Sequence, residues 1–331
     1  MHQPTVSDRD VHVAGGFSLD AILFADGSFE TERIGGNAVW AAMGVLAGGG
    51  RPVAHGVVGR DYPARVLSDF TDAGIDVANV RRHREGRGVR VTYQYTPDGV
   101  RLQPAPDEAL IHLPAEHREK FIDTTRSPFD MLGALPTAAD LPIDGTGTFW
   151  HLGLLPVARF HELVSQLRAS GVRHLQVDTP ARSELRTQGW DALGDALADV
   201  DVFLPSTSDT DVFAPDLSPT ELIDRCHDLG APVVVLKCAE DGALVSTGAA
   251  VWHVPIHPEP QASDPTGCGD VFAGAFAAAI VSGADPVDAA CAGAAAASFA
   301  TRHTDPRGLP SLAPSQIRLR RKHIAQRVTR L

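Results

Sequence analysis

The sequence predicts an α/β protein with a doubly wound, mostly parallel sheet and a small β-strand lid. Alternation is the first observation. Short β-branched runs at 11–15 ("VHVAG"), 51–59, 148–153, 173–178, 201–205 and 232–237 read as buried strands, and helix-period segments at about 36–47, 61–74, 157–170, 191–198 and 218–229 separate them. Strands that take turns with helices build βαβ units, and ligands of such sheets bind beyond the carboxyl ends of the strands. The second observation is two interruptions of that pattern. Residues 19–36 alternate around Asp26-Gly27, and residues 88–105 around Pro97-Asp98-Gly99, which are hairpin signals. Together they predict a flap of about 17–34 and 88–104, and flaps over active sites exclude water.

The 331 residues show no internal repeat and no low-complexity linker, so one body spanning 1–331 is expected rather than two independent domains. Residues 104–147, dense in proline, read as a long surface connection with a short helix near 114–122. The basic stretch at about 314–330 reads as a terminal helix with a solvated charged face.

Charge and cysteine usage narrow the function. A formal net charge of -12 argues against a protein that coats nucleic acid or an anionic membrane, and leaves open an anionic ligand held by backbone N–H groups. Cys226, Cys238, Cys268 and Cys291 form no C-x-x-C pair and are expected as reduced thiols. The 14 histidines show no H-E-x-x-H or H-x-H spacing, so no zinc site is expected. The first ten residues are polar, and no apolar run reaches the roughly 18 residues of a membrane span. A cytoplasmic protein without membrane partners is the expectation.

The informative stretch is "DPTGCGDVFAGAFAAAI" at 264–280. Proline and glycine stand directly before an Ala-rich run in which Phe272, Phe276 and Ile280 recur every fourth residue, the mark of a helix with one apolar stripe. A glycine-rich loop that ends on a helix start presents unsatisfied N–H groups and the positive end of the helix dipole, which together attract an anion. Asp270 in that first turn reads either as an ordinary capping charge or as a base that takes a proton from an attacking hydroxyl. Beside a phosphate its negative charge costs affinity, which the second role would justify.

The stretch "DPTGCGDVFAGAF" resembles the C-terminal signature of the ribokinase family, also called the phosphofructokinase-B family of carbohydrate and nucleoside kinases. That signature runs approximately D-T-x-G-A-G-D-x-F-x-x-G, with Pro265 and Cys268 as the variations here. "GGFSLDAIL" (15–23), "IGGNAVWAAMGVL" (34–46) and "GVVGRDYPARVLSDFTDAGID" (56–76) are similar to the family's other landmarks and stand in the same order, so the resemblance spans about 11–310. It implies a ribokinase-like three-layer α/β/α fold and an ATP- and Mg2+-dependent kinase acting on a hydroxyl of a sugar or nucleoside, with a monovalent cation left open.

By the same resemblance Asp270 is the base, and the N–H groups of Gly267, Cys268 and Gly269 are the anion hole. Asp20, Gly36 and Asn37 line the acceptor site. Lys237, Ala239, Gly242, Thr266, Gly267 and Gly269 face the nucleotide, and the helices at 270–282 and about 286–301 flank the adenine. Asp209 reaches a metal through water.

Two departures stand out. Ser206-Thr207-Ser208-Asp209 replaces the family's N-x-x-E, and Ala239 replaces a usual glycine. They motivate the rival reading of a weak or inactive protein that keeps the fold for ligand binding or regulation. Bland readings also stay open at several positions: a turn role for Asp20 and Asp264, a helix cap for Asn37, core packing for Trp40 and Met43, and ordinary strand positions for Tyr95 and Arg101. Asp178 is a secondary candidate for the polar lining. A dinucleotide site lacks its glycine fingerprint. The strand edges of the flap offer a route to a homodimer through the lid.

Overall fold

The computed structural model describes residues 9–97, 101–141, 144–145, 148–311 and 314–331. A ten-stranded sheet runs in the order β14 (Thr329–Arg330), β13 (Val251–Val254), β12 (Ala243–Ser246), β11 (Val234–Lys237), β10 (Val202–Phe203), β9 (His174–Val177), β8 (Phe149–Leu152), β1 (Asp10–Ala14), β4 (Arg51–Val58) and β5 (Asp76–Arg82). From β11 to β5 every pairing is parallel, and β12 to β14 close the other edge antiparallel. All six strands expected in the main sheet are present.

A second sheet of four strands, in the order β3 (Phe29–Gly35), β2 (Ser18–Leu23), β6 (Val89–Tyr95) and β7 (Arg101–Leu102), forms where the flap was expected. Each hairpin is antiparallel, and the parallel pair β2–β6 joins them. The turn at Asp98-Gly99 lies outside the described residues. A bulge in β3 opposite Ala21 puts Glu32 at φ 62 and resets the register between Arg33 and Glu30.

Several expectations are corrected. β5 was not expected because its alternation is mostly charged, and it is an exposed edge strand with no fully buried residue. The helix expected at 191–198 is two 3₁₀ turns, Gly189–Ala192 and Gly194–Asp199, broken where Gly194 takes φ 50. Residues 182–188, too polar to signal, form a helix. The terminal helix stops at Ala325, and β14 follows it. Residues 104–147 do more than connect. Ala105, Leu110 and Phe121 pack on Ala21 and Leu23, and Asp123 accepts from the N–H and hydroxyl of Thr92, so this segment covers the outer face of the small sheet.

The large sheet changes winding direction between β1 and β8, the place where such folds leave a crevice. Asn37 braces that point. Its Oδ1 accepts from the Gly16 N–H (2.7 Å) just past β1, and its Nδ2 donates to the Leu154 carbonyl (2.7 Å) just past β8. Helix Asn37–Ala47 then crosses helix Cys268–Val281 with glycine on both sides of the contact. A Cβ on Gly274 would stand 1.9 Å from the Ala41 carbonyl oxygen, and one on Gly44 would stand 2.2 Å from that of Val271. This is why the sequence keeps the second helix thin. Gly274→Ala should therefore lose about 3 kcal/mol or more in urea unfolding. An unchanged midpoint would mean the helices are not in this contact.

Candidate active site

The loop before helix Cys268–Val281 is a tight turn. The Cys268 N–H donates to the Pro265 carbonyl (3.2 Å), and Gly267, at φ 77 and ψ -5, takes the left-handed position that such a turn reserves for glycine. The ring of the buried Trp40 lies where a Cβ on Gly267 would stand, 2.3 Å from Cδ2, so the core reading of Trp40 holds and the ring also backs the loop. Of the three N–H groups expected as an anion hole, the turn engages that of Cys268. Those of Gly267 and Gly269 meet no acceptor among the described residues. The Lys237 ammonium lies 3.7 Å from where a Cβ on Gly269 would be, which brings a full positive charge to the same opening.

Asp270 enters this opening from the first turn. Removal from water, with the Asp178 charge adding to it, pushes its carboxyl up to about 8 against the pull of Lys237. Lys237 donates to Asp178 Oδ1 (2.6 Å), and His151 Nε2 stands 3.6 Å from Asp178 Oδ2. Burial would discharge Lys237, but the paired Asp178 and the nearby Asp270 and Asp209 outweigh it and hold the ammonium charged. Asp178 is thus the counter-charge of the site. The sequence marked it only as polar lining.

Asp20 sits on β2, 4% exposed, with the Ser18 hydroxyl on Oδ1 (2.6 Å). Burial pushes it up to about 7 against that hydrogen bond and the charges of Arg33 and Arg101. Gly35 admits it, because a Cβ there would stand 2.3 Å from Asp20 Oδ2. Gly36, at φ 109, turns β3 into the following helix and packs on Gly16 to Ser18. Asn37 stands beside it as the brace described above, with its oxygen and one amide proton committed to backbone. Asp209 has Arg182 Nε on Oδ1 (2.5 Å) and the Ser206 hydroxyl on Oδ2 (2.5 Å). Arg182, on a helix the sequence did not signal, was missed for the same reason. No three His, Cys, Asp or Glu side chains gather as a cation site among the described residues.

The small sheet is tied to the loop by side chains. Arg33 Nη1 pairs with Asp264 Oδ2 (3.1 Å). The Tyr95 hydroxyl reaches Asp264 Oδ1 (3.4 Å) and Thr266 Oγ1 (3.2 Å). Arg101 Nη1 donates to Thr266 Oγ1 (3.3 Å). Asp264 also accepts from the Thr266 N–H (2.8 Å), so it holds the turn and at the same time ties the small sheet to it.

On the other side, Ala239 and Gly242 lie in the turn between β11 and β12. Gly242 packs against the Val254 carbonyl, and Ala239 takes φ 48. The glycine usual at 239 is the residue that conformation favours.

A doubly wound sheet, with a glycine turn at one helix start and a small sheet tied to it, is the ribokinase fold that the structural neighbours share. Residues 151–312 match the pfkB family carbohydrate kinases, and this match together with the relatives supports a phosphotransferase with an alcohol group as acceptor. Among known proteins the chain is 24% identical to a cytidine kinase of Thermococcus kodakarensis over 81% of this chain and 87% of the relative. The Burkholderia thailandensis nucleoside kinase solved with inosine superposes with a TM-score of 0.72 at 15% identity, covering 95% of this chain and 96% of that one. The Salmonella enterica aminoimidazole riboside kinase, solved with its riboside and an ATP analogue, also gives 0.72 at 18% identity, with 94% and 99% covered.

Two expectations follow. Ala239→Gly should raise stability by roughly 0.5–1 kcal/mol, the left-handed strain less the added freedom of the unfolded chain, as read by thermal melting. The Asp270 carboxyl is raised on folding, so its protonated form favours the native state. That contribution is present below the ordinary carboxylate range and is lost as pH rises through about 8. The melting temperature of Asp270→Asn relative to wild type should therefore climb between about pH 5 and pH 9. A flat difference would contradict the raised carboxyl.

Proposed function

We propose that this chain transfers the γ-phosphoryl group of ATP to a hydroxyl of a nucleoside or sugar, with Asp270 as the base. The single observation that carries the reading is the placement of Asp270 in a helix first turn beside the Gly267 and Gly269 N–H groups, with the Lys237 ammonium at the same opening. A base with its affinity for protons near the working pH accepts a hydroxyl proton efficiently, and the donors beside it take up charge on the transferring group. Asp20 orients the acceptor. Its oxygen attacks the γ-phosphorus, the bond from that phosphorus to the β,γ-bridging oxygen breaks, ADP leaves, and the acceptor proton passes to Asp270. The relative named cytidine kinase and the neighbours solved with inosine and a riboside support a nucleoside acceptor over a free sugar.

Magnesium would come with the nucleotide and lower the charge on its phosphates. Asp209, with both oxygens already engaged, would meet it through water at most. The small sheet acts as the lid. Retention of the fold for binding alone is the second reading, favoured by Ser206 and Ala239.

The test is ADP release with MgATP across cytidine, other nucleosides and sugars. Wild type should turn over at least one acceptor, with kcat/KM rising with pH toward about 8. Asp270→Asn should lose on the order of a thousandfold or more. An undiminished rate in that variant would remove the assigned base. No turnover, together with a melting temperature raised by ATP, would favour the binding protein.

A further inference from the structure

The reaction proposed above leaves one enclosed histidine without a part. His151 on β8 is fully buried, and so is Gln176, its partner in the parallel register of β9. The Gln176 amide nitrogen lies 2.9 Å from the Ala273 carbonyl and 3.2 Å from His151 Nδ1. A carbonyl only accepts, so the amide atom that faces it is the nitrogen and not the oxygen. One amide proton goes to Ala273, and the other goes to Nδ1. A ring nitrogen that accepts carries no proton, which places the single proton of a neutral imidazole on Nε2. Neutral is the state that burial favours. It lowers the ring's affinity for protons to about 4, against the pull of Asp178 and with the push of Lys237.

That Nε2 makes no hydrogen bond among the described residues and stands 3.6 Å from Asp178 Oδ2. The other oxygen of the same carboxylate holds the Lys237 ammonium at 2.6 Å. The backbone of Asp178 is fixed as well, since its N–H donates to the Leu152 carbonyl (2.9 Å) at the end of β8. Asp178 therefore has a cation on one oxygen and an imidazole N–H facing the other. The two neighbours differ in freedom. Lysine swings on a flexible four-carbon stem, whereas the ring is enclosed and braced by Gln176. A carboxylate held by the lysine alone would turn with it. The series of contacts starts at Ala273, three residues along the helix from Asp270, and ends on Lys237, beside Gly269.

We propose that His151 is a positioning residue for the phosphoryl transfer proposed above, on which this inference rests: it locks the Asp178 carboxylate in the orientation that delivers the Lys237 ammonium to the opening. His151 touches no substrate and acts only through Asp178 and Lys237. At 3.6 Å the N–H dipole acts on the carboxylate charge across a buried gap, where little water screens it. The helix that carries the base and the strand that carries the cation are thereby kept in one arrangement. The cation is in place before the nucleotide arrives, and a preorganised charge needs no rearrangement during the transfer.

The experiment measures single-turnover rates with the best acceptor for wild type, His151→Gln and His151→Leu, each also in a Lys237→Met background. Melting temperatures and the nitrogen NMR signals of the imidazoles are recorded alongside. We expect His151→Leu to lose about tenfold or more in rate, as the loss of a partner that orients a site group does, with KM for the acceptor within about threefold. His151→Gln, which can bring an amide N–H toward Asp178, should recover most of that loss. In the Lys237→Met background the Leu substitution should cost about twofold or less, because its effect passes through the ammonium. A role in packing alone would give the same loss in both backgrounds. The NMR signal that His151→Gln removes should be that of a neutral ring protonated on Nε2. A proton on Nδ1, a rate of His151→Leu within about twofold of wild type, or an equal loss without Lys237 overturns the proposal and leaves the kinase reading intact. If His151→Leu does not fold, the tautomer decides. Absence of turnover in wild type across the whole panel overturns both.

Discussion

Two helices that approach to the limit of backbone contact set the position of everything else. Gly44 and Gly274 let helix Asn37–Ala47 and helix Cys268–Val281 touch where any side chain would intrude on a carbonyl. The first helix begins at Asn37, whose amide fastens the ends of β1 and β8, and so its start is fixed to the crevice of the sheet. The second helix is held to the first, and the Gln176 amide donates to the Ala273 carbonyl (2.9 Å) from below. Its N-terminus, with the loop and Asp270, is thereby placed over the same crevice. Trp40 from the first helix lies under Gly267 at the start of the second, so the packing that builds the core also shapes the glycine turn.

Electrostatics in the site follow from burying more negative than positive charge. Asp178, Asp209 and Asp270 all act on Lys237, one ammonium among three carboxylates. Asp178 holds it at 2.6 Å, and Arg182 compensates Asp209, which leaves Asp270 as the member most easily protonated. The raised carboxyl is thus a product of the whole group. Its neighbours take the available cations, and partial removal from water adds to the same direction. Asp20 is raised by its burial, against the Ser18 hydroxyl and the charges of Arg33 and Arg101.

The main sheet was legible because its buried strands are continuous β-branched runs. The loop at 264–270 was legible because core packing alone gives no reason to set glycine, proline and a carboxylate directly before an apolar helix. What escaped the sequence lies mostly where burial is one-sided or polar. β5 has hardly any apolar face. Helix Arg182–Gln188 buries only Leu185, so neither it nor the ion pair of Arg182 could be anticipated. The role of Asn37 as a brace depends on Gly16 and on Leu154, which is 117 positions away, and no local pattern encodes that meeting. The engaged Cys268 N–H follows from a turn type that Gly267 permits but does not announce. The strained Ala239 was visible as a departure, although its φ was not.

The chain segment from Ala105 to Asp123 closes off the outer face of the small sheet from within the same polypeptide. A face covered by a second molecule would depend on how many such molecules are in solution, and thinning the solution would strip it. A covering tethered to β7 by a short run of chain keeps a fixed local concentration whatever the dilution. The cover over this face of the small sheet therefore comes with each copy, and its integrity is a property of the chain rather than of its abundance.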